Sequence, residues 1–384
     1  MFGDPENAAR WHVPAKALVK LAAFAPDDAK PLVHDVASKY PVWQVRAAAV
    51  DTSEVLSDEA QILRLVDDVE PNVQSEAIAA LIRMNSSALT AVALKALQKD
   101  DYQLLFFAAA ALKGLKGPTD RAAANDMLLK ALERLTRQAK DTSRAPRLEI
   151  LMRLKEFAPP DEFGLSLLQP SKLDLQEYLK DFDPLVASAV ADLLGVISGK
   201  RPEPKPTYRP PEQPTEADLE EVKNLVPVFA VPLSQSSAAA ALAHATVELS
   251  SNEILYLKFA VDDAPVAIAR FLKLARAGYY DGLTIYRVVL DGWISAGSPA
   301  ANDYTSDTRF WRDEISSQPH GSGSVGLLTH GRDTGDGRLF LALTELPAFE
   351  DTVLANALGG LPVEHLLDGT KITKVEVSWK TKSP

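Results

Sequence analysis

Residues 264–289 read Ala264-Pro265-Val266-Ala267-Ile268-Ala269-Arg270-Phe271-Leu272-Lys273-Leu274-Ala275-Arg276-Ala277-Gly278-Tyr279-Tyr280-Asp281-Gly282-Leu283-Thr284-Ile285-Tyr286-Arg287-Val288-Val289. The period changes within this run. Asp262 and Asp263 supply a cap, Pro265 suits a first helical turn, and Ile268, Phe271, Leu272 and Ala275 recur at steps of three and four. Gly278 then offers the left-handed stop that ends many helices. Beyond it Ile285 to Val289 reads as a strand. On the other side, Leu255, Leu257, Phe259 and Val261 alternate, which predicts a strand with one face buried. Trp293-Ile294, Val325 to Thr329, Leu339 to Leu343, and the alternating Thr373, Val375, Val377 and Trp379 add further short strands. Short strands with a single helix predict an antiparallel β domain, and their number favours a barrel.

The run resembles the cyclophilins. The shared residues are Ala264-Pro265, Phe271, Leu274, Gly278 through Gly282, and Arg287-Val288-Val289. The likeness continues at Gly297-Ser298-Pro299, Gly323 to Gly326 and Phe340, and extends over about residues 246–380. It implies an eight-stranded closed antiparallel barrel, with peptidyl-prolyl cis-trans isomerisation as the family activity. No metal and no cofactor is implied.

That reaction makes a definite physical demand. An X–Pro bond turns over a barrier of about 18–20 kcal/mol. In the twisted transition state amide resonance is lost and the prolyl nitrogen becomes basic. A fixed cation donating to that nitrogen stabilises the twisted form more than either planar one. The resemblance places Arg287 at the catalytic arginine and Phe340 at a pocket phenylalanine. Phe349 takes the place of a pocket leucine. Trp293, Ser295 and Thr329 complete the substrate-binding set, although each departs from the family's usual residue. Gly292 stands where a pocket phenylalanine is expected, and Ser295 replaces a glutamine. Thr329 replaces an asparagine, Ala348 an aromatic, and a pocket histidine is deleted between Asp351 and Thr352. His330, on the neighbouring loop, is a candidate stand-in for that histidine.

Residues 1–199 have a different texture. Apolar positions three, four and seven or eight apart appear at Val73, Ala77, Ala80 and Leu81; at Leu104, Phe107, Ala108, Ala111 and Leu112; and at Val186, Ala189, Val190, Leu193 and Leu194. Fainter copies begin at Val45 and at Leu148, the latter with Leu151 and Met152. The five starts lie 28 to 44 residues apart, a period suited to stacked helix pairs. Pro71, Pro146 and Pro184 each stand two residues before a start, where a first helical turn tolerates proline. The pattern resembles HEAT repeats, most closely at Val42-Trp43-Gln44-Val45-Arg46-Ala47-Ala48-Ala49. Tetratricopeptide arrays and plain bundles share its alanine-rich character. Any function of such an array lies on its concave polar face, as a surface for a protein partner.

Six of the 26 prolines fall between Pro202 and Pro214, which predicts an extended spacer or an arm lying along the helices. Thr215 is placed to cap a short helix from Glu216 to Lys223, and Val226 to Leu233 reads as a packing strap. The domain expectation is therefore a HEAT-like α-solenoid over 1–199, a proline-rich linker and strap over 200–240, and a cyclophilin-like barrel over 241–384.

Composition narrows the classes. The net charge of -11, from 41 basic and 52 acidic residues, argues against nucleic acid as partner. With no cysteine, disulfide scaffolds, thiolate metal sites and cysteine nucleophiles are excluded. The six histidines show no ligand spacing. The longest apolar run is nine residues, Leu104 to Leu112, against about twenty for a membrane span. The acidic opening lacks the form of a signal peptide, so a soluble cytoplasmic protein is expected, or an extracytoplasmic one if an upstream segment is missing. Two functions follow: a prolyl isomerase acting on proline-containing protein clients, or a degenerate cyclophilin that binds proline peptides or serves as scaffold. In the family, cyclosporin-type ligands need the aromatic donor whose place Ala348 holds. A titration with such a ligand should show no useful binding, and submicromolar affinity would overturn the reading across Ala348–Thr352.

Overall fold

The structure is a computed structural model that describes residues 11–35, 37–158, 174–207, 209–225, 238–307, 309–315, 320–347 and 352–377. The chain divides into two compact units, Met1–Arg209 and Pro210–Pro384, with the boundary inside the proline-rich stretch.

The first unit is helical. Its described residues form α1 (His12–Phe24), α2 (Pro26–Asp35), α3 (Trp43–Val55), α4 (Glu59–Leu65), α5 (Pro71–Arg83), α6 (Leu89–Ala96), α7 (Tyr102–Ala111), α8 (Pro118–Gln138), α9 (Arg144–Phe157) and α10 (Pro184–Ser198). Every second helix stacks on the next: α1 on α3, α3 on α5, α5 on α7, and α7 on α9, which meets α10. The intervening α2, α4, α6 and α8 pack alongside, giving a solenoid-like arrangement. The apolar stripes form the contact surface. Val45, Ala49, Val73, Ala77, Ala80 and Leu81 are wholly buried, and so are Val186, Val190 and Leu193. The fainter copy on α9 is shifted: Ile150, Leu151 and Leu154 are buried, while Met152 is exposed.

One polar device recurs between stacked helices. Arg46 on α3 reaches Asp68 through Nε at 2.7 Å and Nη2 at 2.8 Å. Asp68 also accepts the Glu70 amide at 2.8 Å, immediately before Pro71 opens α5. Arg147 on α9 repeats this with Asp181, at 2.8 Å, and Asp181 accepts the Asp183 amide at 2.8 Å before Pro184 opens α10. Each aspartate stands three residues ahead of its proline. It therefore pins both the turn and the preceding helix to the start of the next one.

The proline-rich stretch has contacts of its own. The Lys205 and Thr207 amides donate to the Leu179 and Lys180 carbonyls at 2.9 and 3.0 Å. The Arg209 guanidinium lies 3.8 Å from the Phe182 ring centre, and Arg147 meets the same ring at 4.7 Å. Arg209 also pairs with Asp141. Past the boundary, Glu212 bridges to Trp311 and Thr215 caps α11 (Glu216–Lys223), as expected, and the Asp218 side chain completes a reciprocal capping box. The strap from Val226 to Leu233 lies outside the described residues.

In the second unit, α12 (Ala238–Leu242) precedes β1 (Ala245–Leu249) and β2 (Ile254–Phe259). Then come α13 (Pro265–Arg276), β3 (Arg287–Val288), β4 (Trp293–Ala296), β5 (Ser324–Leu327), β6 (Leu339–Ala342), β7 (Val353–Leu358) and β8 (Ile372–Val377). The order across the sheet is β3-β4-β6-β5-β7-β2-β1-β8, with every ladder antiparallel. The sheet is open and curled, which corrects the expected closed barrel. Its ends, β3 and β8, share no ladder. Among the described residues, an isolated Thr284–Lys371 bridge and a few loop hydrogen bonds stand between them, such as Ile285 N–H to the Thr370 carbonyl at 2.9 Å. The physical reason is β3, which at two residues is too short to continue the ladder. α13 buries Ile268, Phe271, Leu272 and Ala275 in the main core together with the inward residues of the strands.

Asp51 on α3 supplies a pH test of the helical unit. Burial raises its pKa to about 6, helped by the Glu76 and Glu54 carboxylates and opposed by Arg83. The unfolded value is about 3.9, so between these values the folded state holds a proton that the unfolded chain has lost. Stability is therefore gained as pH falls through about 6 and lost as it rises. Asp51→Asn should raise Tm at pH 8 by a few degrees, since about 1 kcal/mol moves a unit of this size by roughly 2–4 °C. At pH 4 the substitution should change Tm little. Thermal unfolding of both proteins at the two pH values checks this.

Candidate active site

Strand alternation divides the sheet into two faces. Ile294 pairs with Leu341 and Leu341 with Val325, and all three lie in the main core. The residues between them face the other way. Arg287 pairs with Ser295, Ser295 with Phe340, Phe340 with Gly326, and Gly326 with Val353. This row crosses five strands and carries the candidate site.

At its centre is a small apolar cluster of Phe340, Ala342 and Val353, with Trp293, Leu328 and Leu346 packed against it. The His320 ring stacks on Phe340 with centroids 6.1 Å apart and planes 20° apart. His320 is fixed through its carbonyl, which accepts the Leu346 amide at 2.8 Å. Gly326 creates the room for Phe340. A Cβ there would lie 2.5 Å from Phe340 Cε1 and 2.5 Å from the Thr352 carbonyl oxygen. Gly292, at the place of an expected aromatic, belongs to the turn joining β3 to β4, where its amide donates to the Val289 carbonyl at 2.9 Å. Trp293 beside it supplies the aromatic surface instead.

A polar edge borders the cluster. The Arg287 side chain is 50% exposed and its Nη2 pairs with Asp303. The Asp303 carbonyl accepts from Arg338 Nη1 and lies 3.2 Å from His330 Nε2. Arg338 is buried and gripped by Asp336, from Nε at 2.8 Å and Nη2 at 2.6 Å. Burial works against the Arg338 charge, but Asp336, with Tyr286 and Asp303, outweighs it, and the guanidinium pKa is raised. Burial, aided by Asp303, likewise pushes the Tyr286 phenol up.

Arg287, Trp293, Ser295 and Phe340 therefore share one face. Ser295 is wholly buried, and its Oγ has no hydrogen-bond partner among the described residues. Thr329 lies apart from this row, lining a different cavity of about 180 Å³ with Arg312, Asp313, Ile315, Gly331, Arg332 and Asp333. Phe349, Ala348 and Asp351 lie outside the described residues. His330 contacts Asp303 and Arg338 rather than the Phe340 cluster. Sequence reasoning missed His320, Gly326, Val353 and Asp303. Only Gly326 left a sequence signal, a glycine at a strand centre, which marks a close approach.

Among the described residues no group of three or more His, Cys, Asp or Glu is placed to hold a metal ion, and no helix is long and apolar enough to cross a membrane.

A half-exposed arginine at the margin of a small aromatic cluster, on the second face of a curled antiparallel sheet, is an arrangement suited to gripping an extended peptide. Comparison with known proteins agrees in class. The family model described as cyclophilin type peptidyl-prolyl cis-trans isomerase/CLD matches residues 244–366. Peptidyl-prolyl cis-trans isomerase B of Bacillus subtilis (strain 168) is 30% identical over 120 residues, covering 30% of this chain and 83% of that protein. A peptidyl-prolyl cis-trans isomerase of Helicobacter pylori strain J99 is 32% identical over 107 residues, covering 27% of this chain. A crystal structure of a Cryptosporidium parvum cyclophilin in the presence of the dipeptide Ala-Pro is similar at 15% identity and TM-score 0.33, over 35% of this chain and 99% of that one. The chain belongs to the cyclophilin-type peptidyl-prolyl cis-trans isomerase family. It spans 65% of the length of the Helicobacter pylori relative.

The Gly326–Phe340 contact can be tested directly. Gly326→Ala should displace the Phe340 ring and destabilise the second unit by about 1–3 kcal/mol, the usual cost of overpacking. The expected readout is a lowered Tm with altered NMR signals for Phe340 and His320. Unchanged ring signals would mean that Phe340 does not depend on the glycine.

Proposed function

We propose that the chain is a prolyl isomerase of reduced activity, acting on X–Pro bonds of protein clients, with Arg287 as its catalytic residue. The observation that supports this best is the register row: it sets a half-exposed guanidinium beside Ser295 and Phe340. A proline ring resting against Trp293 and the edge of Phe340 would bring its nitrogen toward Arg287. The cation then donates to the lone pair that appears only as the amide twists, which is differential stabilisation of the transition state. By resemblance, Phe349 is assigned to the pocket wall with Phe340 and Trp293, and Thr329 to the loop position that contacts the substrate. The erosion at Gly292, Ser295 and Ala348 accounts for the reduced rate. In this reading residues 1–199, as a HEAT-like array, hold the client, and residues 200–240 join the two parts.

A second reading is favoured by the eroded pocket. With Gly292 where an aromatic is expected and Ser295 in place of a glutamine, the face binds proline peptides without turnover. The two readings separate in an exchange assay by NMR on an Ala-Pro peptide. For an isomerase, Arg287→Ala should cost on the order of a hundredfold or more in rate, about 2.7–4 kcal/mol, at unchanged Tm. Arg287→Lys should recover little, because an ammonium lacks the planar fork. Equal activity of wild type and Arg287→Ala would end the catalytic reading. An inactive wild type that binds the peptide through Arg287 would establish the binding module.

A further inference from the structure

Arginine is a poor catalytic group unless something holds it. Its side chain carries about 2 kcal/mol of rotamer entropy, and Arg287 is half exposed at the end of a two-residue strand. Its neighbour across the ladder, Ser295, is too short to help, and its buried Oγ has no partner among the described residues. Asp303 is differently placed. It lies on the segment between β4 and β5, and its side chain is 20% exposed. Its main chain is fixed where Arg338 donates to the Asp303 carbonyl. Arg338, 3% exposed, is itself locked by the fully buried Asp336. This chain of contacts runs from the sheet interior to Arg287.

We propose that Asp303 is the positioning residue for Arg287, doing what Ser295 cannot reach to do. The proposal rests on the isomerase reading for its kinetic consequence, though not for its geometry. A guanidinium carries five N–H donors, so a contact through Nη2 leaves others to meet a prolyl nitrogen. The pair thus orients the cation without exhausting it.

The test uses the full chain with Asp303→Asn and Asp303→Ala, a 15N signal of the Arg287 side chain, and exchange kinetics on an Ala-Pro peptide. Asp303→Asn keeps the shape of the side chain and guards against a folding failure, which Tm reports. In wild type the Arg287 Nε–H signal should be ordered, and both variants should release it, Ala more than Asn. The kinetic loss should be on the order of tenfold or more, since small misplacements of a reacting group are costly. It should fall on kcat with KM little changed. In an Arg287→Lys background, replacing Asp303 should cost markedly less, because its effect passes through the guanidinium. An Arg287 signal as ordered in Asp303→Ala as in wild type would overturn the proposal, and so would variants at least as active as wild type. If wild type does not isomerise, the proposed function fails while the Arg287 signal still decides the role of Asp303.

Discussion

The register between β4, β6 and β5 is the constraint on which the candidate site rests. Because side chains alternate along a strand, a slip of one residue would exchange the two faces. Ser295 and Phe340 would then enter the main core, and Ile294 and Leu341 would leave it for the smaller cluster on the other face. The core residues prevent this. Ile294, Leu341 and Val325 form one apolar row and fix the offset of the strands against each other. The candidate row is consequently held in place by residues on the opposite face of the sheet. One demand on the backbone is met at Gly326, where the missing side chain leaves room for the Phe340 ring.

The helical unit obeys a different rule. Alanine stripes bring its helices close together, but alanines alone do not specify which turn meets which. Arg46 with Asp68, and Arg147 with Asp181, supply that information. The second pair is almost wholly buried, with side-chain exposures of 0% and 1%. Removing either partner would leave a desolvated charge, at a cost of about 3–5 kcal/mol. Arg147 also meets Phe182, and so does Arg209 from the proline-rich stretch. A single aromatic ring thereby joins α9 to residues well past the last helix of the unit.

Much of this was legible in the sequence, because period and punctuation are local. α13, its Pro265 start and the capping box at Thr215 follow from patterns a few residues long. Arg287, Phe340, Trp293 and Ser295 were placed by resemblance, and the structure brings them to one face. Two strands escaped. β7 contains Asn356 among alanines, without the bulky alternation that reveals a strand, and β1 is built partly of Ala and Thr. The closed barrel was inferred from the family and from strand number, but closure depends on the pairing of β3 with β8, which no local pattern encodes. Asp303 and His320 were invisible for the same reason. Each acts across a long separation, on Arg287 and on Phe340, and nothing in its own neighbourhood announces the partner.

The opening between β3 and β8 bears on how this sheet avoids self-association. An unpaired strand edge is a template for another chain, and proteins guard such edges with charge or by occupying the free amides. β8 does both. The Ile372 amide donates to the Leu283 carbonyl at 2.8 Å, and the Val375 amide to the Asp281 carboxylate at 3.1 Å. Lys371, Lys374 and Glu376 add charge along the same strand, with Lys374 and Glu376 paired to each other. The strand is therefore a poor seed for edge-to-edge aggregation, although among the described residues no second strand pairs along it.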